Sequence, residues 1–191
     1  MAVGVEKAAT GGVRQRGSHV RIVILPARRV HDAVAVRRSQ AAILDEVNIR
    51  ELVAGGGERL VALFAAVLPG SPTAQADRLD EPEAFLRDPH SFVLGAYLDN
   101  APVGLAWGLQ MRSPSGRLTT YVHELDVHPD RRRQGVGAAL IVEAMALARS
   151  RGSTKFWLST GGHNEPAQAL YESLGGDRKP LGHVNYWWDL D

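Results

Sequence analysis

The chain has 191 residues and a mass of 20.7 kDa, the size of one domain with room for a sizeable core. Hydrophobic residues at 45% and charged residues at 23% are ordinary globular usage, which excludes wholesale disorder, collagen-like and coiled-coil architectures. The net charge of +1 divides unevenly: residues 1–46 hold eight Lys/Arg against four Asp/Glu, and the remainder is net −3, an acidic body suited to a cationic substrate and lacking the basic face of a nucleic-acid domain.

Residues 1–46 contain glycine clusters, scattered arginines and one short apolar run, Val20 to Leu25, closed by Pro26. They read as a poorly ordered N-terminal extension, too weakly apolar for a signal peptide. The domain proper is expected over 47–191. Val47 to Val53 alternates apolar and polar residues as a half-buried strand does, and Gly55-Gly56-Gly57 ends it. Leu60, Leu63, Phe64 and Val67 follow at helical spacing, Pro69 to Pro72 breaks the run, and Glu81 to Arg87 allows a short second helix. Ser91 to Leu98 and Pro102 to Met111 are β-rich and meet at the hairpin pair Asp99-Asn100. Ser113 to Gly116 turns the chain into a third strand, Leu118 to Val127.

Gly135 to about Arg151 is the longest helical signal, with Val136, Leu140, Ala144 and Leu147 on one face and Gly152 as its stop. A strand at Lys155 to Ser159, a helix with Asn164 as N-cap and Pro166 in its first turn, and a last strand at Val184 to Leu190 complete the order. The order β-α-α-β-β-β-α-β-α-β describes an α+β sandwich, a central mixed sheet flanked by helices.

The strand-to-helix junction around Arg131-Arg132-Arg133-Gln134-Gly135-Val136-Gly137 is an anion cradle: a helix N-terminus with unpartnered amides, glycines that admit a close ligand, and adjacent arginines. It lacks the third glycine of the dinucleotide fingerprint and the Gly-Lys-Ser/Thr of the P-loop. Arg132-x-x-Gly135-x-Gly137, preceded by Val127-His128-Pro129 and followed by Asn164-Glu165-Pro166-Ala167-Gln168-Ala169-Leu170-Tyr171, resembles the acetyl-CoA signature of the GCN5-related N-acetyltransferases.

That resemblance covers Val47 to Asp191 and implies acetyl-CoA as co-substrate, with no metal. It places the pyrophosphate on the backbone of Arg132, Arg133, Gln134, Gly135, Val136 and Gly137, and the pantetheine arm beside Leu125 and Val127. The Val127 amide would polarise the thioester carbonyl. Asn164 and Ala167 would border the cofactor, although Asn164 is equally suited to capping its helix. Tyr171 matches the family's general acid, a phenol that remains protonated at neutral pH. A base must also take a proton from the attacking ammonium. Glu124 is the first choice and Asp126 the reserve; strand alternation puts both on one side unless a bulge intervenes, where like charges that close would raise one of the two pKa values. The same parity points His123 the other way, and the four tryptophans suit strand packing or an oligomer interface.

Tyr121-Val122-His123-Glu124-Leu125-Asp126-Val127 is similar to the central strand of the class I aminoglycoside 3-N-acetyltransferases, with Glu124 where that branch has Asp and Asp126 in place of a small residue. The implied acceptor is a primary amine of an aminoglycoside or similar cationic small molecule, in a homodimeric enzyme. A polyamine or peptide acceptor and a non-catalytic acyl-CoA-binding regulatory module are the alternatives. The absence of cysteine and of a run of about 20 apolar residues points to a cytoplasmic protein without a membrane span.

Overall fold

The computed structural model describes residues 47–76 and 78–178. In chain order it contains β1 (Asn48–Leu52), α1 (Gly57–Val67), α2 (Asp80–Arg87), β2 (Ser91–Leu98), β3 (Ala101–Arg112), β4 (Leu118–Val127), α3 (Val136–Ser150), β5 (Lys155–Leu158) and α4 (Glu165–Ser173). The five strands lie in chain order, antiparallel from β1 to β4 and parallel between β4 and β5. This is the expected α/β sandwich through α4. The strand expected at Val184 to Leu190, the N-terminal extension, Trp187 and Trp188 lie outside the described residues.

Local chemistry sets the connections. Asp99 and Asn100 both take left-handed φ values, 48° and 65°, as a two-residue hairpin turn requires. Parallel strands cannot be joined by a tight turn, so α3 carries the chain from β4 to β5. At the start of α1 the Glu83 carboxylate of α2 accepts from Gly55 N–H at 2.9 Å and Gly57 N–H at 2.6 Å. Those two amide bonds, with help from Arg87, hold the Glu83 carboxyl below its ordinary pKa and tie the two helices together.

The sheet buries both faces. Phe92, Leu94, Ala106 and Val122 pack against Val136, Leu140 and Ala144 of α3. On the other face Val93 and Leu105 pack against Leu60, Leu63, Phe64 and Val67 of α1, with Phe85 and Trp107 at the margin. Each fully buried Leu or Val side chain contributes about 1.5–3 kcal/mol relative to exposure. Arg151 at the end of α3 pairs with Glu51 of β1 and donates to the Ser91 carbonyl at 3.1 Å, which fastens the helix to the far side of the sheet.

One irregularity interrupts the pleat. Trp107 stands opposite Glu124 but its neighbour Gly108 stands opposite Val122, so His123 is an extra residue bulged out of β4. A Cβ added to Gly108 would lie 2.0 Å from the Tyr121 carbonyl oxygen and 3.0 Å from the Phe92 ring. Only glycine lets β3 pass the bulge this closely. Gly108→Ala is expected to cost about 3 kcal/mol or more in urea unfolding, and a loss below about 0.5 kcal/mol would show that the strands separate there without penalty.

Candidate active site

The bulge decides which side chains meet. Val122, Leu125 and Val127 all pack on the α3 side of the sheet, so Glu124 and Asp126 turn to the opposite side, as alternation predicts. His123 does not follow its parity. Its ring lies 4.3 Å from that of Trp107 and 5.9 Å from that of Tyr121, and Trp107 in turn donates its indole N–H to Glu124 Oε2 at 2.8 Å. His123 therefore shares the side of Glu124 because the extra residue resets the alternation. Trp107 packs among the strands as expected, yet it also holds the carboxylate in place.

Asp126 is flanked by the Arg132 guanidinium, 3.8 Å from its Oδ1. Burial and the neighbouring Glu124 carboxylate raise its pKa, with Arg132 and the Val127 N–H opposing the shift. The rise expected at one of the two acids is thus present at Asp126. A carboxyl with a raised folded pKa costs stability as pH climbs from its unfolded value, about 3.9, through the folded one. Asp126→Asn should raise the Tm at pH 7 by about 1–2 °C, a gain that fades as the pH falls toward about 4 and is gone below it. A lower Tm at pH 7 would mean that the Arg132 pair outweighs the burial.

Tyr171 belongs to the same neighbourhood. Burial, and next the Asp126 carboxylate, push its phenol above the ordinary value. It therefore stays protonated throughout the neutral range. Its helix starts at Asn164, whose Oδ1 accepts from Ala167 N–H at 3.3 Å, so the capping role expected of Asn164 occupies the Ala167 amide. Leu170 of this helix meets the first turn of α3: a Cβ on Gly137 would stand 3.2 Å from Leu170 Cδ2 and 3.7 Å from Val127 Cγ2.

Between β4 and β5 the sheet opens. Their pairing runs from Thr119↔Lys155 to Val122↔Leu158 and stops, whereas β4 stays paired with β3 as far as Val127↔Gly104. His128 N–H donates to the Val103 carbonyl at 2.9 Å. By the alternation of an antiparallel ladder, the amides of Val127 and Leu125 then point away from β3, toward the open edge. This edge leads to the basic turn. Arg132 N–H donates to the Pro129 carbonyl at 3.3 Å and its Nε to the Val127 carbonyl at 3.0 Å. The run of amides without a backbone acceptor among the described residues therefore begins at Arg133, one residue later than expected, and continues through Gln134, Gly135, Val136 and Gly137. Arg133 and Gly135 bend it with φ values of 63° and 86°.

A strand edge whose Leu125 and Val127 amides have no strand partner, ending in a run of five more amides at a helix N-terminus, offers the donors that an extended molecule with an anionic end would use. Residues 58–176 match the family model described as Acetyltransferase (GNAT) family. The chain belongs to this family. A mycothiol acetyltransferase from Clavibacter sepedonicus is 28% identical over 167 residues, covering 76% of this chain and 53% of its own. The [ribosomal protein bS18]-alanine N-acetyltransferase of Escherichia coli K12 is 45% identical over 65 residues, 34% of this chain and 43% of its own. The chain spans about half the length of the curated relatives it matches. An aminoglycoside acetyltransferase from an uncultured soil metagenomic sample, solved with sisomicin, has a TM-score of 0.68 at 18% identity and covers 78% of this chain and 99% of its own. An aminoglycoside N-acetyltransferase solved with CoA has a TM-score of 0.60 at 20% identity, over 75% of this chain and 94% of its own. Both structures share the GNAT fold. In the GNAT domain described here, His123 shares the side of Glu124 against its expected parity, and Gly108 was the signal, since glycine inside a strand marks a bulge; Trp107, expected to pack among the strands, also bonds Glu124.

Proposed function

We propose that this GNAT protein is an acetyl-CoA-dependent N-acetyltransferase that modifies a primary amine of a cationic small molecule, with an aminoglycoside as the first candidate. The observation that carries the reading is the opening of β4 beyond Val122↔Leu158, with the Val127 amide, Glu124, Asp126 and Tyr171 gathered beside it. The amides of Arg133 through Gly137 would hold the pyrophosphate, and those of Leu125 and Val127 the pantetheine arm. Acetyl-CoA, when bound, supplies an activated acetyl thioester.

The chain's own residues then handle protons and charge. Glu124, fixed by Trp107, accepts the proton that the substrate ammonium must lose before its nitrogen can attack the thioester carbon. The Val127 N–H stabilises the negative charge that develops on the carbonyl oxygen. As the carbon–sulfur bond breaks, Tyr171 gives its hydroxyl proton to the departing sulfur, and the second proton lost by the nitrogen restores the phenol, leaving an amide and a thiol. Asp126, close to Tyr171 and Glu124, adds negative potential that favours a cationic acceptor.

A peptide α-amine is the second reading, favoured by the 45% identity with the bS18-alanine enzyme over 65 residues. Thiol release from acetyl-CoA across aminoglycosides, polyamines, small alkylamines and basic peptides tests both, with product NMR to locate the acetyl group. Turnover of small cationic amines is expected. Turnover of peptides alone would replace the first reading with the second, and acetyl-CoA binding with no turnover on any amine would leave a regulatory acyl-CoA-binding module.

A further inference from the structure

Beside Trp107 lies a cavity of about 310 Å³ between α1, α2 and the sheet. Its buried walls are Leu60, Phe64 and Val93, 3%, 5% and 1% exposed, and Phe85 stands edge-on to the Trp107 indole at 5.5 Å. Glu81, its one charged lining residue, is exposed. The volume is at the lower end of small-molecule pockets. A wider cavity of about 380 Å³, lined by Arg50, Arg59 and Tyr97, shares no residue with the Trp107–Glu124 pair.

The indole joins the apolar cavity to the acid. One part of it lines the cavity, while its N–H holds Glu124 Oε2 and leaves Oε1 without a hydrogen-bond partner among the described residues. A ligand whose ammonium reaches Glu124 can lay its carbon skeleton along the indole and into the cavity. Hydroxyl-bearing skeletons are disfavoured against Leu60, Phe64, Val93 and Phe85, which offer no hydrogen-bond partner; the polar side chains of the lining are Thr73, Glu81 and the Trp107 indole, whose N–H is taken by Glu124. An aromatic or branched aliphatic group meets complementary surface instead.

We infer that this cavity is a specificity pocket for the acceptor, and that the preferred substrate is a primary amine carrying an apolar arm of aromatic-ring size next to its ammonium. The inference rests on the acetyl-transfer reading and changes its order of acceptors: within cationic amines it places amphipathic ones ahead of aminoglycosides and other polyhydroxylated ones. Trp107 is the positioning residue that links arm to acid. A filled pocket presses on the same ring that orients Glu124, so the arm improves kcat as well as KM.

Phenethylamine and ethylamine share a primary ammonium and differ in the arm. With the full chain, kcat/KM from thiol release and Kd from titration calorimetry in the presence of CoA should both favour phenethylamine, by about 30-fold. Ala76 is a half-buried loop residue in the lining of the cavity. Ala76→Phe, which takes up cavity space from the loop side without opening the core, should reduce the preference to about threefold or less. Trp107→Phe keeps an apolar wall and removes the N–H donor; it should retain part of the preference while lowering kcat for both amines and altering the pH-rate profile. Equal constants for the two amines in the wild type, or a preference that Ala76→Phe leaves intact, overturn the pocket. A binding preference without turnover upholds the pocket and overturns the acetyl-transfer reading.

Discussion

Replacing Tyr171 by Phe is expected to lower kcat by about 100-fold or more while acetyl-CoA affinity changes less than about threefold. The substitution removes one oxygen from a helix-borne side chain whose ring is half-buried, so packing survives and the proton donor does not. Tyr171 is suited to donation because burial and the Asp126 carboxylate raise its pKa. On the proposed mechanism it would meet the departing sulfur as a neutral phenol throughout the neutral range. A merely structural tyrosine predicts a different outcome, a lowered Tm with kcat preserved. Steady-state kinetics paired with a thermal melt separate the two, and wild-type turnover in Tyr171→Phe removes this residue from the chemistry.

Glu124→Gln is expected to reduce kcat/KM near neutral pH by about 100-fold. The amide oxygen can still accept from the Trp107 indole, so the variant tests charge and basicity rather than architecture. Without the carboxylate, reaction waits for amine that is already unprotonated in solution. The profile of log kcat/KM should then climb with unit slope toward the amine's own pKa, near 10.4 for a simple alkylammonium. Glu124 is also one of the groups that raise Asp126, so its neutralisation brings the Asp126 pKa down. A variant whose pH profile overlays the wild type would move the base to Asp126 or to solvent.

The regular parts of the fold were legible because each has a local cause. The bounds expected for Ser91 to Leu98 and Leu118 to Val127 are those observed, and Asp99-Asn100 forms the expected turn. Asn164 caps its helix through the side-chain bond that its residue type suggests. Among the candidate acids, Glu124 and Asp126 do share a side. The reason is less simple than alternation alone, because the bulge at His123 falls just before them and leaves their own spacing intact.

What was missed depends on contacts between distant segments. The position of His123 required knowing that Gly108 passes within reach of the Tyr121 carbonyl. The indole bond from Trp107 to Glu124 spans 17 positions in the chain, and the cavity beside it needs α1 and α2 folded over β3. The amide of Arg132 was assigned to the anion site by its motif position, but the Pro129–Arg131 turn takes it up. Period and spacing place residues on elements. They do not say which backbone amides remain available once loops close.

The central claim is that acetyl-CoA lies along the open edge of β4 with its pyrophosphate on the turn before α3. Backbone amide hydrogen exchange, followed by NMR with and without acetyl-CoA on the full chain, addresses those atoms directly. Slower exchange at Leu125, Val127 and Arg133 through Gly137, with little change along β1, is the predicted result. Saturating acetyl-CoA that leaves these amides exchanging at their unliganded rates would contradict it.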